Sequence, residues 1–270
     1  MGRATTLAAW ALCLSVVGCG TPVLAPLGPI DAGLAAAGAN ITDADVFSLV
    51  RMLSDEGGQS GVTLDPAKLR KANQQLTNDK TLREQAYTKS DPIVQRVFGM
   101  PGKPDALPRL NAQDMQAFKS ALQPGDVIQC GNDGSFIHGV FYVGNDVIIH
   151  ALAEPMNGKK MVGVLRETLT GYFERVERDS VVVLRPHWTP AQLKTGIAYA
   201  ESQVGKGYDT LFLTNSQDRF YCTELVYKIL TTATVARIQP RLVKDAWPVV
   251  MNEELRKSPD LTVVYTKNHS

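Results

Sequence analysis

FIHGVFYVGNDVIIHAL, residues 136–152, places two histidines in two apolar runs separated by Gly144, Asn145 and Asp146. Short apolar runs broken by such residues are the pattern of an antiparallel hairpin. Side chains alternate faces along a strand, and residues paired across a hairpin point the same way. The parity of the pairing therefore decides whether His138 and His150 can meet. A three-residue turn over Gly144–Asp146 pairs Val143 with Val147, an even sum, and 138 plus 150 is also even. His150 then lies opposite Val140 and diagonal to His138, at about 7–8 Å along the backbone, near enough for the rings to meet. A two-residue turn would put the rings on opposite faces, and the turn residues alone do not choose between the two.

Working outward, the sheet region opens at QPGD, residues 123–126. VIQC at 127–130, SVVVLRP at 180–186 and LTVVYT at 261–266 are further strands. Thr189 followed by Pro190 starts a helix that runs to about Val204 and stops at Gly205, a hydroxyl cap with proline in the first helical position. In RFYCTELVYKIL, residues 219–230, Cys222, Leu225, Val226, Ile229 and Leu230 recur at the spacing of one helical face, so a thiol heads an apolar stripe. Upstream, residues 43–122 have helical character: DADVFSLVRML capped at Asp43, the polar run DPAKLRKANQQL, DPIVQRVFG, and NAQDMQAFKSAL opened by Asn111.

The chain of 270 residues has 44% apolar and 20% charged residues, with 28 basic against 27 acidic. This is an ordinary globular composition, and no bulk charge draws it to nucleic acid. Its first residues do not belong to the fold. Arg3 and the apolar stretch Ala4–Val17 form an export signal too short to span a bilayer. SVVGCG resembles a bacterial lipobox, which implies a signal over residues 1–18, cleavage before Cys19 and a lipid on its sulfur. A plain secretory signal cut after Ala25 is the alternative. Residues 19–42, rich in Gly, Ala and Pro, make a flexible tether. Both readings export the protein, and the first anchors it to a membrane of the cell envelope.

With Cys13 in the signal and Cys19 lipidated, Cys130 and Cys222 remain, and a disulfide between them is the plain explanation in an oxidising compartment. The chemical one starts from a thiolate. A free cysteine has a pKa near ~8.5 and needs help at neutral pH. Cys222 at a helix start would feel the positive end of the dipole, and His138 could hold the ion pair. His150 would accept the second ring N–H of His138 and fix its tautomer. Against this, a cysteine on an apolar helical face is ordinarily a small buried hydrophobe, and a strand histidine is ordinarily packed. One thiolate and two imidazoles could also ligate zinc, although no CxxC or HExxH motif occurs. His187 and His269 are expected at the surface.

QPGDVI, FIHGVFYVGNDVIIHA, VGKGYDTLF and FYCTELVYK, in that order over about Leu122–Leu230, resemble the permuted papain-like amidases of the YaeF/YiiX type, within the NlpC-like cell-wall hydrolase superfamily. The resemblance implies an α+β papain-like fold in circularly permuted order over residues 123–270, its antiparallel sheet packed against the helix that bears the cysteine. It implies Cys222 as nucleophile, His138 as base, His150 as the third polar residue and Tyr208 in GKGYD as a contact for substrate. Many relatives carry Glu in the third place, whereas the related lecithin:retinol acyltransferase group uses a second histidine at similar spacing. The expected activity is hydrolysis of an amide, in peptidoglycan peptides, through an acyl-enzyme thioester, with no metal or cofactor. Lipid-directed acyl hydrolysis or acyl transfer, and non-catalytic wall binding, are the alternatives.

Overall fold

The computed structural model describes residues 65–98, 109–153, 161–234 and 236–268. The signal, the tether, Cys19, Asp43 and His269 lie outside the described residues. Six strands form one antiparallel sheet: β1 (Val127–Asn132), β2 (Ser135–Gly144), β3 (Val147–Leu152), β4 (Gly163–Thr168), β5 (Ser180–Pro186) and β8 (Leu261–Lys267), in the order β4-β3-β2-β1-β5-β8. A separate pair, β6 (Arg241–Val243) and β7 (Trp247–Val249), lies between the fifth and last of these in the chain.

The inner strands of the sheet are largely buried on both faces. One carries Val127, Phe141, Ile149 and Leu184, packed with Leu225, Val226, Ile229 and Leu230 of α6 (Cys222–Ala233). Each of those four helix side chains is sealed from solvent, and burial of one such side chain contributes about 1.5–3 kcal/mol. The other face carries Ile128, Cys130, Val140, Ile148 and Val183, covered by Phe118 of α3 (Ala112–Ala121) and by Leu169, Tyr172 and Phe173 of α4 (Leu169–Arg175). Helix α5 (Pro190–Gln203) begins with the expected Thr189 cap, reinforced by a capping box with Gln192, and Gly205 follows at φ +92°. A short α7 (Asn252–Arg256) follows β7.

The helical region upstream divides between the two faces. α1 (Pro66–Asn78, capped by Asp65) and α2 (Lys80–Phe98) bury Leu69, Leu76, Leu82 and Tyr87 in the same cluster as α6, whereas α3 covers the opposite face. DPIVQRVF, residues 91–98, is the C-terminal part of α2, which continues through Pro92. A proline inside a helix forfeits a backbone bond and costs about 3 kcal/mol. The contacts of Tyr87, Ser90 and Asp91 just before it hold the helix in place and offset that cost.

Candidate active site

The central hairpin takes the shorter of the two turns and still brings the two histidines to one face. Gly144 pairs with Val147, so the loop has two residues, Asn145 and Asp146, both in the left-handed region at φ 52° and 62°. Short polar side chains tolerate that conformation, and two such residues in succession make the primed turn that suits a hairpin. A flush ladder from this turn would separate the histidines. Val143 is bulged out between Tyr142 and Gly144, however, and below it Tyr142 pairs with Ile148 and Phe141 with Ile149. The extra residue restores the even parity. His138 and His150 share a face, and His138 Nε2 lies 2.8 Å from His150 Nδ1.

The contact continues beyond the two rings. His150 Nε2 is 2.7 Å from Glu167 Oε1, and Arg175 donates to the same oxygen. Glu167 is on β4 two residues beyond Leu165, the cross-strand partner of His150, and so is its diagonal neighbour on the same face. Tyr172 walls the pair, its ring centroid 5.6 Å from that of His138 and 5.1 Å from that of His150. Burial opposes ionisation of Glu167, but hydrogen bonds from His150 and Arg175 outweigh it and hold the carboxyl below its ordinary range.

That carboxylate sets the protons of the whole chain. A carboxylate only accepts, so His150 carries a proton on Nε2 and donates it. Neutral His150 then has a bare Nδ1, which accepts from His138 Nε2–H. Neutral His138 is left with its lone pair on Nδ1. One acidic side chain two rings away thus makes His138 Nδ1 a base.

Cys222 enters from the other face. Its helix begins there, with Tyr221 as an extended cap residue whose N–H is 3.4 Å from Glu224 Oε2. The β2–β3 ladder extends only to Phe141–Ile149, so at the level of Gly139 the strands have parted. Tyr142 N–H points to β1, where it meets the Asp126 carbonyl, and alternation directs Gly139 N–H to the opposite side. That N–H and those of Thr223 and of Cys222 itself favour the ionised form of the Cys222 thiol. A Cβ on Gly139 would lie 3.1 Å from Thr223 Cγ2, a tight contact, and 3.5 Å from Asn252 Oδ1, so glycine lets the helix start approach the strand without crowding. The sulfur therefore lies in the opening of the sheet beside the residue that follows His138. The groups that favour its ionised form are main-chain N–H groups, and among the described residues it has no hydrogen bond to His138.

The protonation of the pair differs from the expected ion pair. Burial pushes the Cys222 thiol above its ordinary value, against the pull of the N–H groups of Gly139 and Thr223. Burial, reinforced by the positive charges of His150 when protonated, Arg178 and Arg175, drives His138 well below 6.5. Both shifts favour the neutral forms, thiol and imidazole. Glu224, buried under the helix start, is pushed well above the carboxylate range by burial and by Asp209, and so adds no negative charge there.

The remaining residues singled out from the sequence take quieter places. Cys130 and Cys222 are both free thiols; Cys130 is buried, with Sγ 3.4 Å from the Tyr172 hydroxyl. Tyr208 is buried in the main core with its ring 6.5 Å from that of Phe212, in the loop that leads to Cys222. His187 is exposed, its Nε2 2.6 Å from Thr262 Oγ1.

Residues 126–265, more than half of the chain, match the family described as permuted papain-like amidase enzyme, YaeF/YiiX, C92 family. The chain belongs to that family. Comparison with curated proteins and with solved structures gave no match. Membership in the papain-like amidases makes this fold a permuted papain-like one and supports a cysteine hydrolase at family level. Glu167 and Arg175 were not visible as site residues in the sequence. The one signal was the short apolar start of GVLRET after Gly163, from which a strand edge and hence the diagonal to His150 could have been drawn.

Proposed function

We propose that the protein hydrolyses an amide bond through an acyl-enzyme on Cys222, with His138, His150 and Glu167 as its proton relay. The observation that carries the reading is the chain of hydrogen bonds that leaves the free lone pair on His138 Nδ1, beside the strand opening that holds the sulfur. The Cys222 S–H proton passes to His138 Nδ1 as sulfur bonds to the carbonyl carbon, and the C=O electron pair moves onto oxygen. Main-chain N–H groups of the first turn of α6 stabilise that oxyanion, aided by the positive end of the helix. Collapse expels the amine, which takes the proton from Nδ1, and leaves a thioester. Water then gives its proton to Nδ1, adds to the thioester and releases the acid and the thiol. His150 and Glu167 stabilise the imidazolium that exists between these transfers.

Peptide amides of peptidoglycan are the proposed substrate. The lipobox-like segment ending at Cys19 would hold the domain by a lipid on a bacterial membrane, facing the wall. No helix among the described residues is long and apolar enough to cross a membrane. The test is to incubate the full chain, its Cys222→Ala and its His138→Ala variants with peptidoglycan fragments, and to follow new amino groups by mass spectrometry. Amine release that both substitutions abolish supports the reading. Release that persists in Cys222→Ala refutes it, as does stoichiometric zinc in the purified protein. Release of fatty acid from lipid, with peptidoglycan untouched, moves the substrate to the acyl-lipid class.

A further inference from the structure

We propose that Tyr87, Ser90 and Asp91 of α2 form an intramolecular clamp that positions Cys222 by holding the loop leading into its helix. The proposal rests on the reading of Cys222 as nucleophile.

The three residues are spaced three and four apart, so they share one face of α2. All of their polar contacts given by the structure fall within Asp209–Arg219. Tyr87 donates its hydroxyl to Asp209 Oδ1 at 3.0 Å. Ser90 and Thr210 hydroxyls are 2.6 Å apart, and Thr210 also donates to Asp91 Oδ1 at 2.7 Å. Arg219 Nη1 lies 3.0 Å from both oxygens of Asp91, and its guanidinium stands 4.0 Å above the Tyr87 ring centroid. Tyr87, Ser90, Asp209 and Thr210 are fully or almost fully buried, so these bonds are made away from competing water.

The clamped loop transmits the hold. Gly207 N–H donates to the Asp218 carbonyl and Phe220 N–H to that of Gly207, which closes its two ends on each other. Asp209 gathers Leu211 N–H at 2.9 Å and Leu213 N–H at 2.7 Å, which shapes the stretch between. Arg219 is three residues before Cys222, and Arg219 Nη1 also reaches the Tyr208 carbonyl at 3.4 Å. Both ends of the loop are thus tied, through one guanidinium, to Asp91. Helix α2 lies wholly outside the matched residues 126–265, so this support comes from the part of the chain that the family match does not include.

The test uses the full chain with Asp91→Asn, Asp91→Ala, His138→Ala and the pair Asp91→Ala/His138→Ala. It reads the rate of iodoacetamide modification at Cys222 across pH, located by mass spectrometry, well below each variant's melting temperature. A misplacement of about 1 Å can cost a reaction a hundredfold, so Asp91→Ala is expected to slow neutral-pH modification by about tenfold or more. Asp91→Asn, which keeps an oxygen for Thr210 and loses the charge for Arg219, falls between. The double variant is expected to react no more slowly than His138→Ala, because a thiol already without its base loses nothing further by displacement. A wild-type rate in folded Asp91→Asn and Asp91→Ala, with His138→Ala slow, overturns the clamp alone. Additive losses in the double variant also overturn it. A wild-type rate in His138→Ala overturns the reading of the site on which the clamp depends.

Discussion

Removal of Glu167 by substitution with alanine tests the proton relay at its far end, two rings from the sulfur. The Glu167 side chain is 12% exposed and that of His150 is sealed, so solvent does little to screen or replace their hydrogen bond. A hydrogen bond to a charged group contributes about 1.5–3 kcal/mol, which is about one to two powers of ten in an equilibrium. In its absence His150 is free to carry its proton on Nδ1 and donate to His138 Nε2. His138 must then protonate Nδ1, and a protonated nitrogen cannot take the thiol proton. The productive tautomer is expected to fall by about tenfold to a hundredfold, and acylation with it. Arg175, released from its partner, adds positive charge near His138 and works in the same direction. Glu167→Gln keeps an oxygen acceptor and should lose less. The assays are the rate of Cys222 acylation and the imidazole ¹⁵N shifts of His138, which report the protonated nitrogen directly. If Glu167→Ala leaves His138 protonated on Nε2 and the rate unchanged, the tautomer argument is wrong.

Three further outcomes follow from the same geometry. Stability is expected to fall as pH drops below the ordinary histidine value of 6.5, because the unfolded chain then takes up a proton that buried His138 resists. Its folded pKa is depressed, so the stability present above 6.5 is lost on acidification; melting temperatures from pH 7.5 to 5 should show a shallower slope in a His138→Gln variant. The modification rate of Cys222 should keep rising with pH beyond the ordinary thiol range, since burial raises its pKa, whereas a plateau at acidic pH would reveal a resting ion pair. Gly139→Ala should lower stability by about 1–3 kcal/mol of overpacking and slow Cys222 modification, because the new methyl meets Thr223 at 3.1 Å; calorimetry with the labelling assay checks both.

The fold was legible in the sequence wherever the signal was local. The cap at Thr189, the cap at Asn111, the strand runs at 127–130 and 180–186, and the apolar stripe below Cys222 each state their own conformation. The hairpin was legible only in its outcome. In place of a three-residue turn the hairpin has a two-residue turn plus a bulge at Val143, and either places the same pairs opposite each other further down. Nothing in VGND distinguishes them, because Asn and Asp suit both. Glu167 could not be found the same way, since its place beside His150 depends on the register of β4, which pairs to β3 across a connection of ten residues, 153–162. The clamp was further from view. Tyr87 and Asp91 meet partners more than 100 residues away, and a polar helical face looks alike whether it meets water or a loop.

A half-buried thiol and a buried imidazole that are both neutral at rest fit a nucleophile that must be generated rather than stored. Charge separation within the pair is opposed by burial on both sides, so proton transfer to His138 needs a compensating event. In the proposed reaction that event is attack itself: the negative charge leaves sulfur for the carbonyl oxygen, where the helix-start N–H groups receive it, while the positive charge on His138 is met through His150 by Glu167. The carboxylate is kept from neutralising the ring at rest by its distance, one imidazole away, and by its own partner Arg175. The same placement that stabilises the imidazolium during turnover thus leaves the thiol protonated between turnovers.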